Sequence, residues 1–335
     1  MNIWVDLSNA PHVNFFQQLL KDWKEEGHTV IVTARPLSNT IQLLERNNIN
    51  FHEIGRHYGK SKLAKILGLL VRGIQLWRFL RCKKIDVAIS QSSFYSPLVA
   101  WMLRCDCVYT NDNEFAKGNY VGFIFAQKVL LPEALKQWAS TKFFRKKVIY
   151  YSGVKEGIYL HNTFGKVRHF ANSTEDNHIF FRPEPWTAEY HQKNNFGFSS
   201  LLEGLANKYI ITVLPRGDEQ ALFFKALNNS RIRVQETALT IMEIIEQCDV
   251  FIGGGGSMSR EFSFLGVKTL STYQGELLAV DSYLVEKKVM KHIKTINVET
   301  VSQALEEIEE SFATESLRND GKKSYNLVKH SINFT

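Results

Sequence analysis

Short β-branched and apolar runs alternate along nearly the whole chain with stretches of helical period, and this alternation restricts the fold more than any other feature. Residues 2–7 read as a strand. Ser8-Asn9-Ala10-Pro11-His12 leads from it into Phe15, Phe16, Leu19, Leu20 and Trp23, spaced for one face of a helix. Gly27 ends that helix before the strand run 29–33. A helix near 39–46, a strand near 51–54, a long helix over 62–82 and a strand at 87–90 continue the series. Strands joined through helices return to their sheet in the same direction, so repeated β-then-α implies a parallel sheet covered by helices.

The pattern loosens between Val148 and Lys166 and then starts again. Strands are expected at 179–182, 209–214, 231–234, 249–252 and 268–271, with helices at 219–227 and 239–248 and a helical run at 262–265. A chain of 335 residues exceeds what one core usually fills. Two Rossmann-like domains follow, 1–165 and 166–335.

Composition narrows the partners. Four cysteines are too few for a disulfide framework, and Cys105-Asp106-Cys107 has no second ligand cluster to complete a zinc site. The first residues read as a strand and not as a secretion signal, so a cytoplasmic protein is expected. A formal charge of +7 favours an acidic partner: a nucleotide phosphate, an anionic membrane or nucleic acid. The basic residues do not interleave with aromatics as RNA-binding patterns do, which argues against nucleic acid.

Much of the positive charge falls between Lys60 and Lys84, a stretch without an acid. There Leu63, Ile66, Leu67, Leu70, Ile74 and Trp77 share a helical face, with Lys62, Lys65 and Arg72 opposite. Such a helix either packs its apolar face on the sheet or lies against anionic lipid. Just before it, Gly55-Arg56-His57-Tyr58-Gly59-Lys60-Ser61 resembles a phosphate-binding P-loop but has three residues between its glycines instead of four.

The chemistry-bearing motif of the second half is Gly253-Gly254-Gly255-Gly256, which follows an apolar strand and leads through Ser257, Met258, Ser259 and Arg260 to Glu261. Glycines let the backbone approach an anion, and a helix start aims free N–H groups at it, so diphosphate binding is the natural use. The spacing is not the dinucleotide fingerprint, which favours a nucleotide-sugar. Glu261, on the expected first turn, could hold ribose hydroxyls or simply favour the helix dipole. Arg216 follows the strand 209–214 and suits a diphosphate, though a surface arginine is the alternative. In the first half the corresponding edge carries Asp6, Asn9 and His12, and Asp112-Asn113-Glu114 forms a second polar cluster. His12 is a candidate general base.

Taken together, the chain resembles a bacterial and archaeal family of predicted glycosyltransferases, domain of unknown function 354, itself similar to GT-B sugar transferases and UDP-N-acetylglucosamine 2-epimerases. The resemblance runs nearly full length. It rests on Asp6-Leu7-Ser8-Asn9-Ala10-Pro11-His12-Val13, Arg182-Pro183-Glu184-Pro185-Trp186, Leu214-Pro215-Arg216, the stretch from Gly253 to Glu261, Leu265-Gly266-Val267 and Leu278-Ala279-Val280-Asp281. It implies a GT-B-like α/β fold, with two Rossmann-like domains whose parallel sheets face a central cleft. It also implies a nucleotide site at Gly254, Gly255, Gly256, Ser257, Met258, Ser259, Glu261 and Arg216, with Leu239 in the adjoining segment 237–239. The first domain would take the acceptor. Several GT-B transferases carry a histidine in a glycine-rich loop where this chain has Asn9-Ala10-Pro11-His12.

The resulting expectation is a metal-independent glycosyltransferase that moves a sugar from a UDP-linked donor to a surface polysaccharide or glycolipid at the cytoplasmic membrane face. His12 would deprotonate the acceptor, with Asp6 and Asp112 as rivals. Asn9, Asn113 and Glu114 would lie on the acceptor side, and the basic stretch 60–84 would touch the membrane. Neither a metal ligand nor a resident cofactor is expected, because helix N-termini and Arg can neutralise the departing diphosphate. The alternatives are nucleotide-sugar 2-epimerisation and non-catalytic nucleotide-sugar binding.

Overall fold

A computed structural model describes residues 1–37, 40–56, 62–163, 177–186, 195–237, 239–308 and 313–334. The near-P-loop at 55–61 therefore lies largely outside the described residues, as do the side chains of Lys62, Leu63, Lys65, Ile66 and Leu67. The described chain divides into two units, Met1–His161 with Asn319–Thr335, and Asn162–Arg318.

In the first unit β1 (Asn2–Leu7) is buried from its second residue onward, as a central parallel strand must be. After it come α1 (Ala10–Glu25), β2 (Thr29–Ala34), α2 (Thr40–Arg46), β3 (His52–Glu53), α3 (Lys62–Leu80), β4 (Val87–Gln91) and α4 (Ser96–Leu103). Residues 106–151, which the sequence pattern does not divide, hold β5 (Asp106–Thr110), α5 (Tyr120–Phe125), β6 (Lys128–Pro132), α6 (Lys136–Ser140) and β7 (Val148–Tyr151). α7 (Lys155–Leu160) follows. The seven strands run parallel in the order β3-β2-β1-β4-β5-β6-β7.

The second unit contains β8 (His178–Arg182), α8 (Asn195–Ala206), β9 (Ile210–Val213), α9 (Asp218–Lys225), β10 (Ile232–Val234), α10 (Ile241–Ile245), β11 (Val250–Gly253), α11 (Ser257–Leu265), β12 (Lys268–Ser271), α12 (Ala279–Glu286), β13 (Lys291–His292) and α13 (Val298–Glu307). Its six parallel strands follow the order β10-β9-β8-β11-β12-β13. The helix expected at 239–248 contracts to α10, because Thr240 and Glu243 form a reciprocal capping box that starts it late.

α1 shows how sequence sets local structure. The Asn9 side chain accepts from the Ala10 N–H at 2.9 Å, and Pro11 occupies the first turn, where its missing N–H is harmless. Val13, Phe15, Phe16, Leu19, Leu20 and Trp23 are all buried, each contributing roughly 1.5–3 kcal/mol. Gly27, at φ +82°, turns the chain toward β2.

The tail departs from the expected division at 165/166. α14 (Ala313–His330) passes into the first unit, where Tyr325, Val328 and Ile332 join the core of α1. The Tyr325 hydroxyl donates to Asp22 at 2.7 Å, and Lys329 pairs with Asp22 at 3.0 Å and Glu26 at 2.7 Å. Gly321 is needed there, since a Cβ would stand 2.6 Å from the Gly157 carbonyl oxygen.

α3 also differs from its amphipathic reading. Arg72, placed on the outer basic face by periodicity, is wholly buried, whereas Leu70 and Ile74 are exposed. A buried carboxylate, Asp6, calls the guanidinium inward.

Candidate functional site

Where strand order reverses in an open parallel sheet, the flanking crossovers go to opposite faces and leave a crevice outside the strand carboxyl ends. That reversal falls between β1 and β4 in the first unit and between β8 and β11 in the second.

In the second unit, Gly253 pairs with Arg182, and the Gly254 N–H donates to the Arg182 carbonyl at 2.8 Å. A Cβ on Gly254 would lie 2.6 Å from the Glu184 nitrogen, so only glycine fits. Gly255 (φ +81°) and Gly256 (φ +94°) then take left-handed backbone and swing the chain into α11. Ser257 and Met258 open that helix, whose first N–H groups have no intrahelical acceptor. The Ser259 hydroxyl, one step further, is buried and has no hydrogen-bond partner among the described residues.

Starting at Ser257 corrects the position of Glu261. It stands beyond the first turn, so the helix-dipole account of it weakens. Glu261 is buried nonetheless. Arg216 does reach the turn: its Nε donates to the Pro183 carbonyl at 2.7 Å and an NH2 lies 3.5 Å from the Gly255 carbonyl. Beside it, Arg182 donates to the carbonyls of Leu214 (2.9 Å) and Pro215 (2.7 Å). Burial, together with the Arg216 charge, lowers the Arg182 pKa to about 10. Arg216, an exposed residue, thus reaches the glycine turn, while Arg182 braces the adjoining Leu214–Pro215 segment and feels the Arg216 charge. Glu184 tethers the next loop through the Gln274 N–H, at 2.7 Å. Arg260 pairs with Asp281 at 3.1 Å, which explains the 278–281 motif as a brace between α11 and α12. Leu239 is half-buried just before Thr240, the cap of α10, after the edge strand β10 and so three strands from β11.

In the first unit, Asp6 accepts from Arg72 at 3.0 and 2.8 Å, from Thr33 at 2.7 Å and from Ser93 at 2.7 Å. Burial alone would raise its pKa, but the Arg72 charge and these hydrogen bonds hold it below the ordinary value. A carboxylate so enclosed and saturated cannot serve as a proton acceptor, which removes Asp6 as a rival base. Arg72 also donates to the Ile54 carbonyl at 2.9 Å and lies 4.4 Å from the Tyr95 ring centre.

His12 sits beside this pair, 3.4 Å from the Ser8 hydroxyl. Burial, reinforced by the Lys155 charge, lowers its pKa to about 4. The ring is therefore neutral at pH 7. Asp112 pairs with Lys155 at 2.7 Å and accepts from Gln91 at 3.0 Å, and Lys155 lies 3.7 Å from Glu156. His12, Asp112, Lys155 and Glu156 form one buried acid–base group. Asn9 is the α1 cap, Asn113 accepts from the Phe115 and Ala116 N–H groups, and Glu114 is half-buried. The two asparagines thus shape their loops.

Sequence reasoning missed Lys155, Gln91, Ser93 and Arg182 as site residues. Ser93 and Lys155 come just after a strand's end, and Gln91 and Arg182 are themselves terminal strand residues. The rule that open α/β sheets use their carboxyl edge would have found them. Among the described residues, no group of three or more His, Cys, Asp or Glu could hold a metal ion.

The family described as "Protein of unknown function (DUF354)" matches residues 1–329. An uncharacterised protein of Methanocaldococcus jannaschii is 30% identical over 307 residues, covering 88% of this chain and 89% of the relative. UDP-GlcNAc 2-epimerase from Neisseria meningitidis, solved bound to UDP-GlcNAc, superposes with a TM-score of 0.71 at 13% identity, covering 96% of this chain and 98% of that one. The spinosyn rhamnosyltransferase SpnG gives 0.66 at 13% identity and covers 99% of each chain. At such identities the fold is what is shared, and it is the GT-B-like α/β fold.

Proposed function

The chain belongs to the DUF354 family, and from that premise we propose that it is a nucleotide-sugar enzyme that transfers the sugar of a UDP-linked donor to a membrane-borne glycan or lipid-linked acceptor. The observation that carries this reading is the β11–α11 turn. Its glycines open the backbone, α11 presents free N–H groups, and Ser259 offers a buried hydroxyl without a partner. Arg182 and Arg216 add positive charge beside it, as a leaving diphosphate requires. Glu261 takes the ribose. Relatives of the fold solved with UDP and with UDP-GlcNAc support a uridine donor.

In the transfer step the acceptor oxygen bonds to the anomeric carbon as the carbon–oxygen bond to the diphosphate breaks, and UDP leaves with that electron pair. His12, neutral at pH 7, receives the hydroxyl proton. Its low basicity suits late transfer, once bond formation has made the hydroxyl acidic.

A second reading, 2-epimerisation, is favoured by the first unit's group of Asp112, Lys155, Glu156 and His12. Removing and returning a proton at the sugar's second carbon needs such acids and bases and no acceptor. Incubation with UDP-GlcNAc in D₂O, followed by NMR, separates the two. Acceptor-dependent UDP release without deuterium at the second carbon supports transfer, and deuterium incorporation with the C2 epimer appearing supports epimerisation. No heat of binding with any nucleoside diphosphate or nucleotide-sugar would end both readings.

A further inference from the structure

Among the described residues twelve large apolar side chains are exposed, and ten of them lie between residues 70 and 149. The second unit contributes only Leu222. α3 packs beside α4, and α4 beside α5, forming one helical layer. Its outer surface carries Ile74, Trp101 and Ile124 at 50%, 59% and 51% exposure, with Phe143 at 61% alongside. These residues are linked. The Trp101 ring is 5.4 Å from that of Phe125, and Tyr120 stacks on Phe143 at 6.3 Å.

The same stretch of sequence is rich in positive charge. Residues 60–149 hold sixteen Lys and Arg against five Asp and Glu, while the whole chain has 41 against 34, so the rest is net acidic. Arg104, Lys117, Arg145 and Lys146 are exposed beside the apolar residues. Lys147 donates to the Ile124 carbonyl at 2.8 Å, which ties the basic segment to α5.

We propose that the outer face of α3, α4 and α5, with the segment 142–147, docks on an anionic lipid bilayer. Exposed Trp and Tyr suit the headgroup level, where one end of the ring is apolar and the other wet. Lys and Arg around them reach anionic headgroups while their stems cover apolar surface. A second copy of this chain fits less well, because a two-fold contact would set basic rim against basic rim. Among the described residues no helix is long and apolar enough to cross a membrane, so the contact is peripheral. The inference rests on the proposed function only for where the acceptor lies; the surface is argued from its own residues.

The test is flotation of the full chain with phosphatidylcholine vesicles, with and without about 30% phosphatidylglycerol, in the absence of nucleotide. Wild type should bind the anionic vesicles at least ~10-fold better and be released near ~0.5 M salt. Trp101→Ser with Phe143→Ser should keep the melting temperature and lose binding ~10-fold or more. Arg145→Glu with Lys146→Glu should lower binding by a similar factor, and Leu222→Ser should leave it unchanged. Equal binding to both vesicle types, or wild-type binding by the Trp101/Phe143 variant, would overturn the proposal. So would a dimer that this variant abolishes without any vesicle binding. Docking by a chain that binds no nucleotide-sugar would sink the proposed function alone.

Discussion

The first and second units reverse their strand order at equivalent places, yet they fill those places in opposite ways. Along the carboxyl edge of its sheet the first unit brings together its own charges: Asp6 of β1 with Arg72, and Asp112, after β5, with Lys155, after β7. Between β8 and β11 the second unit brings bare glycine backbone, a helix start, the unpartnered Ser259 hydroxyl and two arginines held by backbone carbonyls. One edge already holds carboxylates and cations that pair within the unit. The other has donors and positive charge beside a turn without side chains, the arrangement on which the proposed diphosphate site rests. Topology thus decides where a ligand can sit, and the residues at the strand ends decide which kind.

The strongest way to break this contrast is Arg72→Leu. Removing one partner of a wholly buried pair should cost roughly 3–5 kcal/mol in chemical denaturation. A loss below 1 kcal/mol would mean that the first edge is not held by its own charges.

Next in size is a pH effect confined to the first unit. His12 titrates near 4 when folded and near its ordinary 6.5 when unfolded. Between these values the unfolded chain binds more protons, so stability rises with pH, is complete above about 6.5 and is lost as pH falls toward 4. The contribution is about 3 kcal/mol at most. His12→Asn should flatten that part of the stability–pH curve, and an unchanged curve would show that the ring is not held neutral.

Gly254→Ala sharpens the contrast from the other side. Its Cβ would meet the Glu184 backbone, so a loss of roughly 1–3 kcal/mol is expected, together with loss of UDP binding by calorimetry. The smallest effect should be the most telling. Ser259→Ala should change stability by less than about 0.5 kcal/mol, because the hydroxyl has no partner to lose, while weakening UDP binding by roughly 3–10-fold. Unaltered UDP affinity would remove Ser259 from the proposed site.

Much of the fold was legible because each signal is local. A β-branched run such as 29–33 or the apolar run before Gly253 needs only its own residues to declare a buried strand, and Pro11 and Gly27 mark the bounds of α1. The glycine turn was legible for the same reason. Arg72 was not: helical period placed it outside with the lysines, and only the wholly buried Asp6, 66 residues earlier, explains its burial. Lys155 looked like part of a loosening linker until β7 placed it beside Asp112.

The sequence by itself therefore determined the alternation of elements, the two parallel sheets, the flexible backbone at Gly253 to Gly256 and the surplus of positive charge in the first half. These depend on period, backbone freedom and composition, which are properties of neighbouring residues. Only the tertiary structure decided that Asp6 is neutralised, that His12 is held uncharged, that Ser259 is buried without a partner, that α14 returns to the first unit and that Leu70 and Ile74 face outward. Each of these depends on which groups from distant segments share the same low-dielectric space. Burial makes an unmatched charge costly, so distant partners must be found, and no local pattern records which they are.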